Sequence, residues 1–221
     1  MLTIINIVSE IILIFLYIPS GLFQIFLPET IISSPINRKN IIFLHGWFTQ
    51  HPLYYPFLKK LNKSNHNIHI PNLGWYIEDI EKTTDKLNQY IKKHQLKNII
   101  LIGHSLGGII ALNYEKKYPK TIKKVITIAS PIHGSPLANI LPPQQFIPAD
   151  QLVLNSKFLK KLSQNKFRPK IINLRSKYDE IVPSISSQLK NTQNIQINVL
   201  GHISIIYSKQ TINHLKDIIF N

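Results

Sequence analysis

At 221 residues the chain fits one domain with a sizeable core, and with 44% hydrophobic and 17% charged residues nothing in it reads as disordered or as an internal repeat. It has no cysteine, which excludes disulfides, a thiolate nucleophile and cysteine-ligated zinc. A net charge of +15, from 26 Lys plus Arg against 11 Asp plus Glu, invites a nucleic-acid or anionic-membrane reading, but the lysines are scattered as pairs such as Lys59-Lys60, Lys92-Lys93 and Lys123-Lys124, so no nucleic-acid partner is expected.

The first segment differs in kind from the rest. Between Met1 and Leu27 the only charged side chain is Glu10, and Ile11 to Ile18 is unbroken apolar. A membrane span needs about 17 to 25 apolar residues, a length the stretch between Glu10 and Glu29 reaches only by including Pro19, Ser20, Gly21 and Gln24. Residues 1–35 are read as a hydrophobic N-terminal helix that anchors the chain in a membrane, with a second unit over 36–221. A kinked interfacial helix ranks next, and the alternative outside the membrane is an ordinary helix folded back against the domain. A signal peptide ranks last, because no Lys or Arg precedes the apolar run. All the basic residues lie from Arg38 onward, so an apolar anchor beside a cationic body implies membrane association. The Arg38-Lys39 flank weakly favours a cytoplasmic domain and leaves the side of the membrane open.

Beyond the polar turn at Ser33 to Arg38, short apolar runs alternate with stretches of helical period. Strands are predicted at Asn40–His45, Ile68–Pro71, Asn98–Gly103, Lys124–Ala129, Lys170–Arg175 and Ile195–Val199. Helices are predicted at Tyr54–Leu61, Ile77–His94, Leu106–Tyr118, Leu154–Leu162 and Lys209–Phe220, with shorter turns after Pro183. About six mostly parallel strands covered by helices on both faces are the expected architecture. Residues 131–153 contain Pro131, Pro136, Pro142, Pro143 and Pro148, so a loop or partial cap is expected there.

Gly103-His104-Ser105-Leu106-Gly107 stands directly after a strand-like run and directly before a helix. In a G-x-S-x-G nucleophile elbow the serine sits on a strained strand-to-helix turn, flanked by glycines where a Cβ would clash. A serine hydroxyl needs a base, and the base needs a third group to hold its tautomer. His202 follows the last predicted strand and precedes the final helix. Of the acids ahead of it, Asp179 follows a strand at the carboxyl end of the sheet, while Asp150 belongs to the proline-rich loop and Glu180 reads as a solvated neighbour. His66 and His69 read as surface residues rather than ligands. Oxyanion donors are expected from the backbone N–H of Leu106 and, in the His45-Gly46 loop, of Trp47.

These pieces resemble the α/β-hydrolase superfamily, and within it the small lipases and esterases with a His-Gly oxyanion loop. The matching residues are Phe43-Leu44-His45-Gly46, Ile102 to Gly108, Ile128 to Ala138, Asp179 to Pro183 and Gly201-His202. The sequence departs from the pattern in Trp47-Phe48-Thr49-Gln50, where further glycines are usual, and in Arg175 to Tyr178, which lacks the usual glycine before the acid. The resemblance implies a minimal α/β-hydrolase fold whose catalytic domain spans 36–221, with Ser105 as nucleophile, His202 as base and Asp179 as its orienting acid. It implies an acyl ester or lipid-like substrate and neither cofactor nor metal; oligomeric state is left open. Phe48, Leu137, Ile140, Leu141, Phe146 and Ile147 are expected to line an acyl pocket or cap. The rivals are a thioesterase or acyltransferase using the same three residues, and a non-catalytic membrane-associated protein on the same fold.

Overall fold

The computed structural model describes residues 8, 10–13, 28–33, 40–47, 49, 51–62, 66–74, 76, 78–140, 148–167 and 170–220. In chain order these hold β1 (Thr30–Ile32), β2 (Asn40–Leu44), α1 (His51–Leu61), β3 (Asn67–Ile70), α2 (Ile80–Lys93), β4 (Ile99–His104), α3 (Leu106–Lys117) and β5 (Ile122–Ile128). They continue with α4 (Pro136–Ile140), α5 (Ala149–Leu152), α6 (Lys157–Ser163), β6 (Lys170–Tyr178), a 3₁₀ turn at Ser184–Ser187, β7 (Gln193–Leu200), α7 (Ser204–Tyr207) and α8 (Lys209–Phe220). The described strands form one seven-stranded sheet in the order β1-β3-β2-β4-β5-β6-β7. Only β1 runs antiparallel to its neighbour; the other pairings are parallel.

The central strands explain the layers. Side chains alternate across a strand, so Ile42, Leu44, Ile99, Leu101 and Val125 face α2 and α3. Ile41, Phe43, Ile100, Ile102, Ile126 and Ile128 face α1 and α8 on the other side. A strand buried on both faces has no polar register, which is why these runs read as continuous Ile, Leu and Val. Helix α3 is the most enclosed: every residue from Leu106 to Glu115 is buried.

Two expectations need correction. The sheet has seven strands rather than six, because Thr30–Ile32 adds an antiparallel edge to β3 inside the segment read as an N-terminal helix. The membrane reading also fails: among the described residues no helix is long and apolar enough to cross a membrane. Most of the proposed anchor, residues 1–7, 9, 14–27 and 34–35, lies outside the described residues. Of the part that is described, Glu10 and Leu13 face the domain, while Val8, Ile11 and Ile12 are exposed. Residues 10–13 are helical, Leu13 packs on the cluster over the α1 and α8 face, and Glu10 is only 6% exposed.

Candidate active site

Ser105 occupies the turn between β4 and α3 with φ 53° and ψ −125°, a backbone region that non-glycine residues avoid. Its N–H donates to Ile128 O of the neighbouring strand at 2.8 Å, which holds the turn in place. Gly107 has a steric reason to be glycine: a Cβ there would overlap the backbone carbonyls of Leu44 and His45. The first turn of α3 therefore packs directly on the exit of β2, bringing Leu106 beside the loop that carries the half-buried Trp47. This is the setting in which two backbone N–H groups can converge on one oxygen.

β6 runs to Tyr178, three residues past its expected end, and delivers Asp179 at the carboxyl edge of the sheet. Asp179 Oδ1 accepts the N–H groups of Ile181 at 3.0 Å and Val182 at 2.7 Å, which fixes the carboxylate. His202 Nδ1 lies 2.9 Å from Oδ2 and 3.1 Å from Oδ1, with the two side chains 3% and 1% exposed for His202 and Asp179. An Nδ1 facing a carboxylate carries the proton, leaving Nε2 with its lone pair. Burial works against the imidazolium, but the charge and hydrogen bond of Asp179 outweigh it, with Glu180 and Glu10 adding, so His202 titrates above its ordinary value.

His104 connects His202 to the loop after β2. Its ring lies 4.9 Å from that of His202, and its Nε2 must donate to the His202 carbonyl, 3.0 Å away. Nδ1 is then an acceptor and takes the Tyr54 hydroxyl at 2.9 Å. The Tyr54 oxygen accepts the Gly46 N–H at 3.1 Å, while Thr49 Oγ1 donates to Gly46 O at 2.8 Å. Burial, and then the charge of His202, hold His104 well below its ordinary value, so the relay runs through a neutral imidazole.

Other expectations resolve unevenly. Asp150 is exposed on α5, and it is Asp179 that pairs with His202. Glu180 is more than a solvated neighbour: its Oε1 accepts the His202 N–H at 3.2 Å. His66 and His69 are not surface residues; both are 5% exposed, with the His69 ring against Tyr90 and His94 and the His66 ring against Phe220. Among the described residues no group of three or more His, Asp or Glu is placed to hold a metal ion.

The expected loop at 131–153 contains two short helices, α4 and α5, because Ala138, Ala149 and Leu152 find apolar neighbours to pack on. It is stapled to the acid loop: the His133 N–H donates to Ser186 O at 3.0 Å, and Ser135 Oγ donates to Ile181 O. Leu137 is 45% exposed. Phe48, Leu141, Phe146 and Ile147, and the side chain of Ile140, lie outside the described residues. Sequence reasoning missed three participants: Tyr54, His104 as a connector, and Glu10. For Glu10 a signal existed, since one charge in an otherwise apolar stretch asks for a partner.

Comparison with known proteins bears on the fold. A family model described as the alpha/beta hydrolase fold matches residues 39–175. A pimeloyl-[acyl-carrier protein] methyl ester esterase of Wigglesworthia glossinidia brevipalpis is 32% identical over 93 residues, 41% of this chain and 36% of that protein. A 1-acylglycerol-3-phosphate O-acyltransferase of Arabidopsis thaliana is 26% identical over 106 residues, 42% of this chain and 25% of that protein. The chain thus spans well under half the length of these curated relatives. The crystal structure of a monoacylglycerol lipase of Paleococcus ferrophilus superposes with a TM-score of 0.65 at 17% identity, covering 86% of this chain and 95% of that one. With the family model matching more than half of its residues, the chain belongs to the alpha/beta hydrolase fold family.

Proposed function

We propose that this protein is a serine hydrolase that cleaves carboxylic esters through an acyl-enzyme, with Ser105 as nucleophile, His202 as general base and Asp179 as the acid that orients it. The observation that carries the reading is the buried Asp179–His202 pair at the carboxyl edge of the sheet whose central strand ends in the strained Ser105 turn. In the first half-reaction Ser105 Oγ attacks the ester carbonyl carbon as its proton passes to His202 Nε2. The oxyanion that forms is taken by the N–H groups of Leu106 and Trp47. Collapse of the tetrahedral species breaks the ester C–O bond, and His202 Nε2 returns the proton to the departing alcohol. Water repeats the cycle on the acyl-enzyme and releases the carboxylic acid.

An alcohol or thiol in the place of water would give transfer, and a thioester in the place of the ester would give thioester hydrolysis. The acyltransferase among the relatives keeps that second reading in view. A fluorophosphonate probe tests the shared step. Labelling that maps to Ser105 and disappears on heating or in Ser105→Ala is expected; an unlabelled native protein would contradict the reading. A series of p-nitrophenyl esters from short to long acyl chains, with and without micelles, then reports the substrate class. Because a base must be neutral to accept the proton and His202 titrates above its ordinary value, kcat/KM should rise on the acid side at a pH above the usual imidazole range.

A further inference from the structure

The turn that carries His202 has four consecutive backbone donors, and each is held. The Gly201 N–H goes to Tyr178 O at 2.8 Å and the His202 N–H to Glu180 Oε1 at 3.2 Å. The next two belong to Glu10, which lies more than 190 residues away in the chain: Ile203 N–H donates to Oε1 at 2.7 Å and Ser204 N–H to Oε2 at 2.9 Å. The Ser204 hydroxyl donates to the same oxygen. Gly201, at φ +113°, passes so close that a Cβ would overlap the Glu10 carboxylate. A run of successive N–H groups around one anion is a fixed site for that anion, and a carboxylate buried to this degree is stable only when so bonded.

We propose that Glu10 is a positioning residue for His202: its carboxylate clamps the turn on which the base is mounted. The inference rests on His202 being the base. Glu10 itself need not touch substrate. It fixes the backbone immediately after His202, while Asp179 fixes the ring and Glu180 the N–H of the residue itself. A loose turn would let the imidazole drift from Ser105, and misplacement on the scale of an ångström can cost about a hundredfold in rate.

The clamp also has an electrostatic signature. Four ionisable side chains face His202: Asp179 and Glu180 from the loop after β6, His104 from the end of β4, and Glu10 from the N-terminal segment; His45, at the exit of β2, acts on His104. Asp179, Glu180 and Glu10 all favour the imidazolium. Removing the charge of Glu10 therefore lowers the pH at which His202 titrates and moves the acid limb of kcat/KM downward. Loss of a merely structural contact would leave that limb in place.

The experiment uses the full chain with Glu10→Gln, which is close in shape but offers one acceptor where two are needed, with Glu10→Asp, which keeps the charge on a shorter stem, and with Glu10→Ala. A p-nitrophenyl ester hydrolysed by the wild type is the substrate, and a thermal melt accompanies each variant. Glu10→Gln and Glu10→Ala should lose between about ten- and a hundredfold in kcat, with KM within about twofold and the acid limb shifted to lower pH. Glu10→Asp should lose kcat but keep the wild-type limb. Formate added to folded Glu10→Ala should restore part of the lost kcat. Folded Glu10→Gln with wild-type kcat and limb would overturn the inference, as would a loss of rate matched by unfolding with no movement of the limb. A wild type that neither hydrolyses esters nor takes the fluorophosphonate would overturn the proposed function as well, which separates the two failures.

Discussion

Asp179 and Glu180 are neighbours in sequence, yet the first pairs with the His202 ring and the second with the His202 backbone N–H. The difference follows from the end of β6. Asp179 turns back onto Ile181 N and Val182 N, which turns its second oxygen to the imidazole. Glu180 is left beside Glu10 and Asp179, and loss of solvent, followed by those like charges, raises its titration from 4.5 to about 7. A carboxyl raised in the folded state adds stability that is complete below its unfolded value and lost as pH climbs through the folded one. The pH window is thus from 4.5 to about 7. Glu180→Gln keeps an acceptor for the His202 N–H and removes the charge, so its Tm should exceed that of the wild type at pH 8 and match it at pH 4. An equal difference at both pH values would show that Glu180 is not a strained charge.

At the scale of elements, the central strands and the helices between them were legible because apolar periodicity and turn residues agreed there. Helix α3 was expected at Leu106–Tyr118 and forms over Leu106–Lys117; α8 forms over the expected Lys209–Phe220. The misses have physical reasons. β1 is three residues long, too short to show alternation, and is a strand only because β3 offers it an edge. The end of β6, Arg175 to Tyr178, is polar and charged, but β7 pairs with it through Arg175↔Gln196, Ser176↔Ile197 and Tyr178↔Leu200. Backbone pairing of that kind leaves no mark in hydropathy. Nor did the link between α1 and the elbow, since Tyr54 and His104 are 50 residues apart and meet only through the fold. Tyr54→Phe takes away the acceptor of the buried Gly46 N–H and the donor to His104 Nδ1. It should cost about 1–3 kcal/mol in denaturant unfolding and, on the proposed function, lower kcat, because the His45-Gly46 loop and His202 lose their common support. Unchanged unfolding and unchanged kcat would mean the relay is idle.

For the molecule as a whole, the charge of +15 marks no binding face that the described structure reveals. Several of the few acids are drawn into pairs on the surface, as in Lys93–Glu29 and Lys117–Asp85, or into the site, as with Glu10, Asp179 and Glu180. The N-terminus misled for a related reason: an apolar segment looks alike whether it is to face lipid or the side of a domain. Glu10 was the residue that separated the two, and its carboxylate meets three donors of the protein. The placement of the candidate residues was legible, because Ser105, Asp179 and His202 each follow a parallel strand at its carboxyl end, where open sheets of this type gather their chemistry. The most direct test of the central claim is a double-mutant cycle on kcat with Ser105→Ala, His202→Ala and the pair. If the two residues act as one unit, each single change costs several orders of magnitude and the pair costs little more than either. Losses that add, or a Ser105→Ala protein that keeps wild-type ester hydrolysis, would contradict it.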